Sequence, residues 1–300
     1  MASLNSAVRR FIRSNNVRQA ALASGAAEEF ARSYVAGSTV EQAVAVVRRL
    51  RSQGLLASLA YLPASDDEAE TPAMLLDSIT RLGALAADSE ISIKPSSLGL
   101  RSDPASAASR LDDLCAAAGE VGALVTLEMQ GEGQYRETLE LWQRTRERHN
   151  GLGLTLPADI RRSEREAGVL AAEGARLRLC VGSYPVPKAS GHRSEKEKSL
   201  ALVRCIRRVM EGGGYAMVAS HDPTIIAIAQ EVASRNAVAA FEFQMFYGVR
   251  PLEQRRLADI GYRSRTYLPF GPAWFEYLTT RIAARPRTLF SYLRAVGDKR

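Results

Sequence analysis

Eight short apolar runs alternate with stretches of helical period between residues 56 and 267, and this alternation constrains the fold more than any single motif. The runs cover residues 56–61, 91–94, 123–128, 152–156, 177–181, 215–219, 237–243 and 264–267. Each has the length of a strand buried on both faces, which does not need to alternate apolar with polar side chains. Residues 72–87, 104–119, 135–148, 162–173, 199–210, 224–234 and 251–260 read as the intervening helices. Upstream, residues 20–35 are rich in Ala and Glu, and Ser38-Thr39-Val40-Glu41 predicts a capping-box start to a helix over 42–51.

Strands and helices that alternate at this spacing imply parallel strands joined by crossover helices. Eight such units in about 220 residues suit a closed (β/α)8 barrel, whereas an open doubly wound sheet has fewer strands and a glycine-rich phosphate turn after the first. No Gly-x-Gly-x-x-Gly follows the first run, and Gly212-Gly213-Gly214 precedes a strand, where it reads as a helix end and turn. The expected architecture is α/β, a TIM-type barrel over residues 53–300 behind a helical N-terminal segment over 1–52.

The 40 Lys and Arg against 33 Asp and Glu, a net +7, need not mean a nucleic-acid partner. The arginines fall in pairs on helical stretches with acids nearby, as at Arg161-Arg162 and Arg207-Arg208, which reads as solvated outer faces. No nucleic acid is expected, although an anionic ligand is. Three widely spaced cysteines and three scattered histidines carry no metal-ligand spacing, so no metal site is expected. No apolar stretch is long enough to span a membrane and no signal peptide is evident, which predicts a cytoplasmic protein, free or peripheral to the membrane.

Barrel chemistry belongs at the C-terminal ends of the strands. By this reading Lys94 ends strand 2, Glu128 ends strand 3, strand 5 carries Arg178 and leads to Tyr184, strand 6 runs into Ser220-His221-Asp222, strand 7 into Gln244, and strand 8 ends at Tyr267. Lys94 and Glu128 either pair inside the mouth or form part of a site; taken together, the set favours a site. With Arg281, the cations can bind a carboxylate, a phosphate or an electron-rich ring. No Gly-x-Ser-x-Gly occurs, His221 has no evident Ser or Cys partner, and Glu242 and Asp222 do not form a carboxylate pair, so the reactivity points to a cofactor.

The segment Phe241-Glu242-Phe243-Gln244-Met245-Phe246-Tyr247-Gly248-Val249, then Tyr267-Leu268-Pro269-Phe270-Gly271 and Trp274-Phe275-Glu276-Tyr277-Leu278-Thr279-Thr280-Arg281, resembles the proline dehydrogenase family. Ser92-Ile93-Lys94-Pro95-Ser96, Leu127-Glu128-Met129, Arg178 to Tyr184 and Ala219-Ser220-His221-Asp222 are similar to its other barrel motifs, in the same order, over roughly residues 55 to 295. The resemblance implies a distorted (β/α)8 barrel that holds FAD at its C-terminal face, oxidises L-proline to Δ1-pyrroline-5-carboxylate and passes electrons to an acceptor such as a quinone. It implies that Lys94 and Arg281 bind the substrate carboxylate, that Tyr267 and Tyr277 wall the pocket, and that Arg178 lies by N5 of the flavin. Glu128 joins Arg178 as a catalytic candidate; Met129, Gly182, Ser183, Ser220 and His221 are implied to contact the cofactor.

Five positions depart from the family pattern. Thr280 replaces the first of two arginines, Val181 a lysine, Pro157 a flavin-bonding glutamine, Glu128 an aspartate and Ala284 a glutamate. The other readings are an enzyme on the same barrel, or a catalytically silent paralogue, that has lost FAD and proline activity.

Overall fold

The computed structural model describes residues 31–64, 70–237 and 240–284, the last five of these without side chains. A first helix, α1 (Val40–Arg51), precedes the alternating units β1 (Leu56–Tyr61), α2 (Glu70–Leu82), β2 (Glu90–Ile93), α3 (Pro104–Glu120), β3 (Leu124–Leu127), α4 (Tyr135–Arg146), β4 (Gly153–Pro157) and α5 (Ser163–Ala172). The second half runs β5 (Arg176–Cys180), α6 (Glu195–Glu211), β6 (Tyr215–Ala219), α7 (Pro223–Arg235), β7 (Glu242–Phe246), α8 (Pro251–Asp259), β8 (Arg263–Phe270) and α9 (Trp274–Ala284). All eight strands are parallel, and the sheet closes in sequence order through β1 and β8. The closed barrel is as the strand and helix spacing predicts.

Local sequence explains four of the helix starts. Thr39 caps α1 and exchanges bonds with Gln42, so the capping box lies one residue beyond the expected pair, and Ser194 and Glu197 build a second one. That second box starts α6 at Glu195, ahead of the helix expected over 199–210. Asp103 and Asp222 cap α3 and α7 ahead of Pro104 and Pro223, whose missing N–H groups have no intrahelical partner to lose. Gly212 caps α6 and Gly213 turns left-handed at φ 84°, so the glycine triplet ends a helix as expected.

The seventh run is misplaced. The strand is Glu242–Phe246, not 237–243: Ala237 sits at φ 48°, and the ladders to β6 and β8 begin at Glu242. Gln244, expected beyond this strand, therefore lies within it, and β8 continues past Tyr267 to Phe270. The helix α1 packs against β1, β8 and α2, and Ala36 N–H donates to Pro269 O at 2.8 Å, tying the N-terminal side of the helix to the last strand.

Between the strands and their helices lies one apolar layer that includes Leu59, Ile91, Leu127, Leu154, Leu177, Val218, Phe243 and Leu268, all almost wholly buried. At about 1.5–3 kcal/mol for each fully buried aliphatic side chain, this layer supplies the main driving force. The inside of the barrel is different. The side chains that alternate with that layer include Ser58, Glu90, Ser92, Thr126, Arg178, Glu242, Gln244 and Arg265, each of them buried. Among the described residues no helix is long and apolar enough to cross a membrane, and no group of three or more His, Cys, Asp and Glu is placed to hold a metal ion.

Candidate active site

Lys94 follows β2 in extended backbone (φ −87°, ψ 133°), so its half-buried side chain continues the inward row of Glu90 and Ser92. Glu128 extends β3 in the same way, its N–H donating to Ile93 O at 2.7 Å, and its side chain follows that of Thr126 inward. Its Oε1 accepts hydrogen bonds from Ser92 Oγ at 2.8 Å and from Tyr267 OH at 2.7 Å. The mouth therefore gathers residues from β2, β3 and β8 that are far apart in the chain. Burial alone would raise the Glu128 carboxyl; the Lys94 ammonium, the Arg178 guanidinium and the two hydroxyl donors outweigh it and hold the group below the usual carboxylate range.

Arg178 points inward from the middle of β5, and its side chain is buried beneath these groups. Nε donates to Gln244 Oε1 at 2.6 Å, Nη1 to Ser92 Oγ at 2.7 Å, and Nη2 to Ser58 Oγ at 3.3 Å and to Glu90 Oε1. Burial would lower its pKa, but Glu90 and Glu128 raise it further, so the guanidinium stays charged. Its Cζ lies 5.7 Å from the centre of the Tyr267 ring, which meets Phe246 edge-on at 5.4 Å. Ser92 connects the two sites of charge by accepting from Arg178 and donating to Glu128.

Lys94 behaves differently from its neighbours. Its ammonium acts on Glu128 through space, yet among the described residues it makes no hydrogen bond and no ion pair within 4.0 Å. Arg178, Glu128 and Tyr267 form a connected network, and Lys94 is the mouth cation beside it with a direct ligand position to fill.

A cleft beside this network is lined by Met129, Gly131, Pro157, Asp159, Ile160, Gly182, Tyr184 and Val186 at the ends of β3, β4 and β5. The buried Asp159 accepts the Gly182 N–H at 2.7 Å, and a Cβ on Gly182 would sit 2.5 Å from Asp159 Oδ1 and 3.0 Å from Pro157 Cβ. Only glycine lets the chain leave β5 this close to β4. Ser183 is exposed just beyond, whereas Val181 packs against the main core. Across the mouth, His221 Nε2 accepts the Phe246 N–H at 2.9 Å and its ring stacks on Phe246 at 5.1 Å. An acceptor Nε2 leaves the proton of the neutral ring on Nδ1, so this edge is a donor. Ser220 Oγ accepts the Asp222 N–H at 3.2 Å and so shapes the turn into α7.

Tyr277 packs on α9 within a small cluster with Ala31, Tyr34, Val35, Leu278, Val249 and Trp274. The side chain of Arg281, and with it Thr280 and Ala284, lies outside the described residues. The structure thus brings together Lys94, Glu128, Arg178 and Tyr267, and places Met129 and Gly182 on one cleft.

Comparison with known proteins now decides the family. No protein-family model matches the chain. Proline dehydrogenase 1 of Bacillus subtilis is 33% identical over 275 residues, which are 90% of this chain and 91% of that protein. The chain belongs to the proline dehydrogenase family. Proline dehydrogenase of Deinococcus radiodurans is 30% identical over 269 residues, 86% of each chain. Membership makes the protein an oxidoreductase. Among solved structures, proline utilization A from Bdellovibrio bacteriovorus inactivated by N-propargylglycine superposes with a TM-score of 0.77 at 20% identity, covering 85% of this chain. A Bradyrhizobium japonicum proline utilization A variant gives 0.68 over 83% of it. The chain spans about a third of those longer proteins (32% and 30%), and the likeness establishes the shared barrel fold.

Several buried polar residues in and around the barrel interior were not singled out from sequence: Ser58, Glu90, Ser92, Asp159 and Arg265. The signal was present as Glu90, Ser92 and Lys94 at every second position of one strand. Thr155 joins them. Its hydroxyl, on the β4 residue paired with Arg178, is buried and has no hydrogen-bond partner among the described residues. An orphaned inward hydroxyl beside a guanidinium, next to a cleft between strand ends, fits the polar edge of a planar cofactor.

Proposed function

We propose that the protein is an FAD-dependent dehydrogenase that oxidises L-proline to Δ1-pyrroline-5-carboxylate, with a quinone as electron acceptor. The observation that carries this reading is Lys94: a half-buried ammonium at the barrel mouth with no direct partner among the described residues, beside a network whose other members are already engaged. A small amino-acid carboxylate satisfies it, and Arg281 from α9 is the second cation of the clamp. FAD, when bound, supplies the hydride acceptor.

The chain's own groups prepare the substrate. Lys94 takes the carboxylate and so fixes the orientation of the ring, which turns an encounter into an aligned approach. Among the described residues only Oε1 of Glu128 accepts hydrogen bonds, so Oε2 faces the substrate side. A carboxylate held on the ionised side binds the substrate ammonium as a counter-charge and does not store its proton, which leaves to solvent before the C–H bond breaks. Tyr267, fixed by Glu128 and by Phe246, walls the ring, and Tyr277 closes the pocket from α9. Arg178 would supply a fixed positive charge toward a bound cofactor, which favours its reduced, anionic form. Met129, Gly182, Ser183, Thr155, Ser220 and His221 hold the cofactor's edges.

Pro157, without a donor in the cleft, and Val181, turned into the core, favour a second reading in which this oxidoreductase has lost FAD. One experiment separates the two. The purified protein is expected to carry flavin absorbance that bleaches on anaerobic addition of L-proline. A flavin-loaded protein that proline leaves unbleached would overturn the assigned substrate, and a protein that never retains FAD would support the second reading.

A further inference from the structure

Glu90 has no place in the mechanism above and no route to the substrate, since it lies fully buried below Arg178 on β2. It is nevertheless the carboxylate in direct contact with Arg178. Its Oε1 accepts from Arg178 Nη2 and from Ser58 Oγ at 2.6 Å; its Oε2 accepts from Thr126 Oγ1 at 2.6 Å and from Arg176 Nη2 at 3.5 Å. Donors on β1, β3 and β5 therefore clamp this one carboxylate, and they leave it no alternative rotamer with comparable partners. The guanidinium above it inherits that constraint. With Nη2 held by Glu90 and Ser58, Nε by Gln244 and Nη1 by Ser92, the plane of Arg178 cannot turn without breaking a charged bond in a buried site.

We infer that Glu90 is a positioning residue for the redox site, which locks the guanidinium of Arg178 beneath the flavin and offsets part of its positive charge, so that the charge felt at the mouth is tuned from below. The inference rests on the proposed flavin reading, but its electrostatic content does not. The nearest negative charge to Arg178 is held inside the barrel by hydrogen bonds that ligands at the mouth do not touch, so it acts as a fixed bias. Glu128, the second acid acting on Arg178, faces the substrate side and shares its field with Lys94. The two carboxylates thus divide the work: one is constant, and the other answers to the occupant of the mouth.

The test is Glu90→Gln, which keeps the volume and an acceptor oxygen while deleting the charge. In flavin-loaded protein the reduction potential is expected to rise, and sulfite, an anionic probe of the oxidised flavin, to bind about tenfold more tightly, equivalent to about 30 mV for a two-electron couple. Ser58→Ala removes the two hydrogen bonds made through Ser58 Oγ but keeps both charges, and is expected to move both readouts less than Glu90→Gln does. If Glu90→Gln does not fold, Glu90→Asp, which draws the carboxylate back by one methylene, is expected to give a smaller rise of the same sign.

A second readout needs no flavin. Cys180 lies two residues beyond Arg178 on the same face of β5 and interacts with it electrostatically, whereas the buried thiols of Cys115 and Cys205 are pushed up to about 12 by burial. The rate of Cys180 alkylation by iodoacetamide against pH is expected to shift to lower pH in Glu90→Gln. An unchanged potential and sulfite affinity in a folded, flavin-loaded variant would overturn the inference, as would an unchanged alkylation profile in the flavin-free protein. Protein that holds no flavin but shows the alkylation shift would refute the proposed function and leave the role of Glu90 standing.

Discussion

At the floor of the barrel, Arg265 gives its Nε and Nη2 to Glu242 at 2.7 and 2.9 Å and its Nη1 to the carbonyl oxygens of Ala57 and Asp88 at 3.1 and 2.7 Å, with both side chains wholly buried. Two layers higher, Lys94 sits half-buried at the mouth with no direct partner among the described residues, beside a Glu128 with one oxygen engaged. Both regions place bases beside acids. The difference is completeness. At the floor the donors of Arg265 are consumed inside the protein, so the charges specify the barrel; at the mouth a ligand position is left open, so the charges specify what binds.

The largest effect should come from breaking the floor. Arg265→Leu strands Glu242 without its main counter-charge and is expected to cost about 3–5 kcal/mol in urea unfolding, the scale for an uncompensated buried partner. The double variant Arg265→Leu/Glu242→Leu is expected to lose less than the single one, because removing both charges removes the desolvation that each imposes. A double variant as unstable as the sum of its parts would mean that the two charges are not coupled and that each side chain acts on its own.

Acid tests the same contrast. Burial raises Glu90 and Glu242, and their arginines outweigh it, so both native pKa values lie below the ordinary carboxylate value. Such groups add stability that is complete above the unfolded-state value and is lost as pH falls through the lowered native one. Stability measured by denaturant should therefore decline below the ordinary carboxylate range, and Glu90→Gln should flatten that decline.

The mouth should respond in function before stability. Lys94→Ala is expected to leave the melting temperature close to wild type and to weaken proline by about 1.5–3 kcal/mol, tenfold or more in apparent affinity, the scale of a charge-assisted bond. Normal proline affinity in that variant would remove Lys94 from the site. Gly182→Ala drives a methyl against Asp159 and Pro157 and is expected to cost about 1–3 kcal/mol, read as lower FAD retention. The smallest change belongs to the outer surface: Arg207→Ala, which breaks an exposed pair with Glu211, should move stability by no more than about 0.5 kcal/mol.

Much of the barrel could be read along the chain. The runs at 56–61 and 215–219 are strands β1 and β6 residue for residue, and the helix predicted from Pro104 runs to Glu120. The seventh strand was misread because residues 237–240 form an apolar run in the sequence, although Ala237 is left-handed, while the strand runs on past Phe243 through the polar Gln244 to Phe246. Polarity misled the reading only because the inside of this barrel is polar. The same cause hid Glu90 and Arg265, which look like surface residues until the closure of the barrel surrounds them.

By itself, the order of apolar runs and helix signals determined that eight parallel strands would follow one another and, except at β7 and β8, which residues would stand at their ends, because strand length and capping are local properties. The family resemblance added expected roles for Lys94, Arg178 and Tyr267, which the strand pattern had already grouped. Tertiary structure alone decided which charges would be satisfied. Glu90 and Arg178 are 88 positions apart and meet only when β2 and β5 face one another across the closed barrel. Burial there removes water as an alternative partner, so a charge is either paired within the protein or left for a ligand, and Lys94 stands on the second side of that division.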